Sequence, residues 1–192
     1  EMGLNDPFVV RYVNYMLGLC QGDLGTSYKT RDPVGEEVWA RLPNTAVLAL
    51  TSTVVAILLA LPLGIIAAIK QNTLFDGISM FISLLGISMP VFWMGLLLIL
   101  FFSVKLGWFP VSGADQGIKS LVLPSIALGF MHMASIARTT RSSMLETIRQ
   151  DYIRTVRAKG LPEKEVITRH ALRNALIPTT TVIGLQIGGM LG

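Results

Sequence analysis

Long uncharged apolar runs alternate with short polar segments along the chain. Residues 43–69 and 77–104 contain no charged side chain. The second run holds 28 residues, about 42 Å as an α-helix. That exceeds the roughly 30 Å hydrocarbon core of a bilayer, so such a helix tilts, kinks or projects into the headgroups. A third run, 120–137, is 18 residues long and marginal alone, but a basic helical pattern continues it. A fourth begins near Asn174 and is still apolar at Gly192, as expected of a piece of a longer chain. The pattern predicts an all-α, polytopic membrane domain over 43–192, with spans at about 43–69, 77–104, 120–137 and 174–192.

Between the last two runs lies a basic block, residues 138–173, with nine of the sixteen Lys/Arg and four of the twelve Asp/Glu. Leu145, Ile148, Tyr152 and Val156 recur in it at helical spacing, predicting one amphipathic helix. Gly160 suits the left-handed residue that ends such a helix. Pro162, followed by Glu163 and Glu165, suits the first turn of a second helix, where acidic groups meet the positive dipole end. The block therefore reads as helix, glycine turn, helix.

Lys/Arg bias sets the orientation. Loop 138–173 is cytoplasmic, loop 105–119 outside and the short loop 70–76 inside. Residues 1–42 form an extracytoplasmic segment with short helices, which implies an earlier span if the chain starts in the cytoplasm. Asp6-Pro7 opens one short helix, with Val9, Val13 and Leu17 on one face and an end near Gly22. Asp32-Pro33 opens a second through Arg41, with Trp39 at the interface. Gly22–Ser27 lacks the Gly-Lys-Ser/Thr ending of a phosphate loop, so it reads as a structured turn.

Pro62, Pro90, Pro124 and Pro178 place one proline in each span and favour kinks. His132 and Gln186 are the polar groups of note inside the spans, with helix-to-helix hydrogen bonding as the plainer reading beside a transport role. Gly184 and Gly188 allow close helix approach.

Composition narrows the function. Hydrophobic residues make up 52% and charged residues 15%, well below the charge of a soluble domain. The net charge of +4 lies beside the spans, so topology explains it and nucleic acid is not an expected partner. Cys20 is the lone cysteine, His132 and His170 have no metal-site spacing, and no hydrolase or nucleotide-binding motif is present. No acidic residue lies in a span, which argues against a proton relay. The chain is expected to be no enzyme and to bind no cofactor or metal.

At the cytoplasmic block the residues become specific. DYIRTVRAKGLPEKEVITRHALRNALIP, residues 151–178, closely resembles the EAA-type coupling loop of ABC importer permeases, above all the dipeptide/oligopeptide/nickel branch. The likeness extends through GDLGTSYKTRDPV, ISMPVFWMGLLLILFFSVKLGWFPVSG and NALIPTTTVIGLQIGGMLG, nearly the whole chain. Arg154-Thr155-Val156 stands where the general pattern has Glu-Ala-Ala, whereas Arg157-Ala158-Lys159-Gly160 matches the branch directly. Pro162 replaces a serine cap common in the branch. His170-Ala171-Leu172-Arg173-Asn174 matches its ending, making His170 structural.

The resemblance implies an ABC type I importer transmembrane domain, with about four of six spans present. It implies a peptide, nickel or similar solute delivered by an extracytoplasmic solute-binding protein. A second homologous permease would complete the path, and two ATP-binding subunits would supply ATP hydrolysis. The chain would be a multi-pass component of a bacterial or archaeal inner membrane, in contact with lipid. Asp151, Tyr152, Arg154, Arg157, Ala158, Lys159 and Gly160 would couple to the ATPase. Pro90, Trp93, Met94, His132 and Gln186 are candidates to line the path, with packing or lipid contact as the plainer role for Trp93 and Met94. The alternatives are an ATP-independent channel or carrier, or an anchoring subunit with no path.

Overall fold

Small residues line the buried stripe of the longest helix, and that choice decides how closely its neighbours approach. The structure is a computed structural model describing residues 7–191. Among them the ordered elements are helices, with one isolated β-bridge between Thr26 and Pro33.

Two compact units divide at Ala46. In the first, α1 (Phe8–Cys20) buries none of its residues. Asp6 lies outside the described residues, and Pro7 is the N-cap rather than the first helical residue. In the following turn the Gly25 N–H donates to Asp23 Oδ1 at 2.8 Å. The separate short helix expected through Arg41 is instead the beginning of α2 (Val34–Ile69), which passes through Pro43 and Pro62 without a break.

The second unit is built around α5 (Ile118–Ile148), in which the third apolar run continues into the basic block as expected. Ala56 and Ala60 of α2 pack against Met133, Ile136 and Ala137 of α5. Thr51 and Ser125 hydroxyls bond at 2.8 Å across the same contact. Glycine sets the spacing. A Cβ at Gly64 would lie 2.7 Å from the Ala137 carbonyl oxygen, and one at Gly129 would lie 2.9 Å from that of Ser52. At Gly86 of α3 (Leu74–Ser88) a Cβ would collide with the Phe130 carbonyl. Gly184 and Gly188, expected to admit a close neighbour, have nothing within 4 Å among the described residues.

The second predicted span is not one helix. After α3, Met89 is extended and Pro90 caps α4 (Val91–Leu98), which continues as a π-helical segment, Ile99–Lys105. The pair is bent by 102° at this break. Pro90 disfavours helical geometry at the preceding residue, and here the chain takes the extended alternative. Pro124 and Pro178, by contrast, lie inside unbroken helices. By length and composition α2 and α5 are each able to cross a membrane, and the bent pair makes a third candidate. α8 (Leu172–Leu191), diluted by Thr179–Thr181 and Gln186, is not among them.

Candidate functional site

The basic block folds into a short braced projection. The single helix predicted through Tyr152 and Val156 is broken: α5 ends at Ile148, and Gln150 is extended at φ −68° and ψ 148°. A new helix, α6 (Asp151–Ala158), starts there with Asp151 in its first turn, where a carboxylate meets the positive dipole end. The break shifts the register. Ile153 is fully buried, and Tyr152, expected on the apolar face, is 39% exposed.

Ile153 enters a cluster with Met144 of α5, Ala68 of α2, and Val166, Ala171 and Ala175 beyond the turn, flanked by Val156 and Leu161. The inner face of α6 is therefore cemented into the body of the unit. Its outer face presents Asp151, Arg154, Thr155 and Ala158, with Lys159 exposed just beyond the helix end.

Gly160 closes the projection at φ +79°, the left-handed region expected for it. Across that turn Arg157 grips Glu163 through Nε and one terminal nitrogen, which donate to different carboxylate oxygens at 3.0 and 2.6 Å. This hydrogen bond from Arg157 holds the Glu163 carboxyl below its ordinary value, and Glu163 raises Arg157. Tyr152 forms a second brace. Its hydroxyl accepts from Asn174 Nδ2 at 2.6 Å and lies 3.4 Å from the His170 carbonyl oxygen, to which it donates.

Pro162 is an N-cap with extended ψ, not a first-turn residue. The second helix predicted after it is only a turn, α7 (Glu163–Glu165). It passes through a π-helical segment, Val166–Ala171, directly into α8. The projection is thus continuous with the last apolar run.

Sequence reasoning missed Ile153, Glu163 as the partner of Arg157, and Asn174. Glu163 carried a signal, an acidic group directly after a Gly-Leu-Pro turn, but not its partner. A further missed pair lies at the base of the projection. Arg141 holds Asp76 with two 2.7 Å hydrogen bonds, and Asp76 is only 6% exposed.

The candidate path residues fall into two groups. Pro90 forms the bend of the broken pair, with exposed Trp93 and half-buried Met94 in the following turn. His132 is buried on α5, and its polar neighbour is Gln186 of α8.

Known proteins resemble this chain in sequence. The chain is 46% identical to the dipeptide transport system permease protein DppB of Alkalihalophilus pseudofirmus over all of this chain and 66% of that protein. It is 43% identical to the oligopeptide transport system permease protein AppB of Bacillus subtilis, over all of this chain and 64% of the relative. It is 44% identical to the glutathione transport system permease protein GsiC of Escherichia coli, again over all of this chain and 62% of the relative. The chain thus spans just under two thirds of the length of these relatives. Residues 60–192 match the family described as binding-protein-dependent transport system inner membrane component. With its apolar helices and this match over most of its length, the chain is an integral membrane protein and belongs to that family of ABC transport permeases.

Proposed function

We propose that this chain forms part of the permease subunit of an ATP-driven importer of small peptides, with α6 as the element that a separate ATPase moves. One observation carries the coupling role. α6 is exposed on its outer face yet locked on its inner face by Ile153, Arg157–Glu163 and Tyr152–Asn174. A motor needs such a handle, because force on a floppy loop is lost as local motion. The solute class follows from relatives whose names specify dipeptide, oligopeptide and glutathione transport.

In this reading two ATP-binding subunits close on ATP and carry α6 as a rigid body. A second permease subunit completes the path, a solute-binding protein delivers the peptide from outside, and the assembly is multi-pass in a bacterial or archaeal cell membrane. The chain performs no bond chemistry itself; ATP is bound and hydrolysed by its partners. Arg157 is held by Glu163 at 2.6 Å, whereas exposed Arg154 rests only loosely on Asp151 at 3.6 Å, so Arg154 and Lys159 are the cations offered to the ATPase. The test is dipeptide uptake into proteoliposomes holding the full-length permease with its partners. Uptake that requires ATP inside and the ATPase subunit supports the reading. Uptake that persists without either makes the protein a channel or carrier.

A further inference from the structure

Asp76 is the only acidic residue between Glu37 and Asp115. It sits in the first turn of α3, beside the polar loop 70–76, and is almost fully buried. Arg141 reaches it from α5, 65 residues away, with Nε and one terminal nitrogen each 2.7 Å from a different carboxylate oxygen. The Asn72 N–H adds a third hydrogen bond to Asp76 Oδ2 at 3.0 Å, and Asn72 holds a left-handed φ of +60°. Nearby, Arg149 donates to Gln71 Oε1 at 3.3 Å. A carboxylate this buried is retained only with such complete satisfaction, because removing one partner strands a desolvated charge. The fork geometry also fixes orientation, which a lone ammonium does not.

Position gives the pair its meaning. Arg141 lies one turn from Met144, which shares the buried cluster with Ile153 of α6. α6 is thus cemented to the lower end of α5, and α5 is clamped there to α3, the first half of the bent pair. Building on the coupling role given to α6, we infer that Asp76 and Arg141 are positioning residues. They form a strut that makes the cytoplasmic ends of α3 and α5 move together when α6 is displaced, so that the stroke reaches the Pro90 bend.

The test uses the full-length permease with its partners in proteoliposomes. Spin labels at Phe75 and Ser142 report the distance between the two helix ends, and uptake per ATP hydrolysed reports coupling. The strut predicts a narrow distance distribution in the parent and a broad one in Asp76→Asn. Uptake per ATP falls about fivefold or more. Both recover substantially in the exchanged pair Asp76→Arg/Arg141→Asp. Arg141→Lys, which keeps the charge but loses the fork, gives an intermediate result and replaces Asp76→Asn if that variant does not accumulate. An unchanged distribution in the single variants overturns the strut, whatever happens to transport. So does unchanged uptake per ATP. ATP-independent uptake by the parent is a separate result: it removes the importer reading while the distance measurement still scores the clamp.

Discussion

Arg157 and Glu163 face each other across the Gly160 turn, with the shorter of their two hydrogen bonds at 2.6 Å. The contact closes the five residues 158–162 into a bracket. Both side chains retain solvent contact, so the contribution to stability is small, about 0.2–1 kcal/mol for an exposed pair. Glu163→Gln should therefore leave membrane insertion and overall stability almost unchanged. It should speed amide exchange at Lys159 and Gly160, and the effect should shrink in the parent as salt is raised. Hydrogen–deuterium exchange at low and high salt checks this, and equal exchange rates would show that the bracket does not hold the turn.

Gly160→Val should damage function more than stability. Its φ of +79° costs an L-residue about 1–2 kcal/mol, and a β-branched residue more. Among the described residues nothing beyond the chain neighbours lies within 4 Å of a Cβ built there, so the cost is backbone strain. Near-normal assembly with uptake reduced about tenfold is the expected pattern. Gly160→Asn, which tolerates left-handed geometry, should be milder. Equal behaviour of the Val and Asn variants would contradict the role of the turn.

Ile153→Ala removes a fully buried side chain from the cluster that anchors α6. A loss of about 2–5 kcal/mol is expected for the region. Protease cleavage near Gln150 should rise while α2 and α5 keep their protection. Cleavage no faster than in the parent would mean that α6 is held by something else.

Gly129→Ala tests the close contact of α2 and α5. A methyl group there would come within 2.8 Å of Val55 Cγ1 and 2.9 Å of the Ser52 carbonyl oxygen. Overpacking of this kind costs about 1–3 kcal/mol. Thermal unfolding in detergent should show a clearly lowered midpoint; an unchanged midpoint would place the helices further apart.

The parts of this fold that were legible from sequence depend on local chemistry. The apolar run 120–137 and its basic continuation announced α5, and a glycine between charged segments announced the turn at Gly160. The break at Gln150 was invisible, because Leu145, Ile148, Tyr152 and Val156 keep helical spacing across it. Only the buried Ile153 reveals the shifted register. Pro90 announced a disturbance, but its preceding residue had two allowed outcomes, kinked helix or extended link, and Met89 takes the second. The π-helical segments carry no compositional mark. The Asp76–Arg141 and Tyr152–Asn174 pairs join residues far apart in sequence, and no single-chain spacing rule connects them.

In the proposed coupling, the outer face of α6 is the surface an ATPase pushes. A photo-crosslinking amino acid placed at Ala158 of the full-length chain, in membranes that import peptide with ATP, probes that surface. A covalent adduct with the P-loop ATPase subunit, strengthened or weakened as nucleotide is changed, is expected. Adducts with lipid or with the permease alone, in a preparation whose uptake consumes ATP, would contradict it.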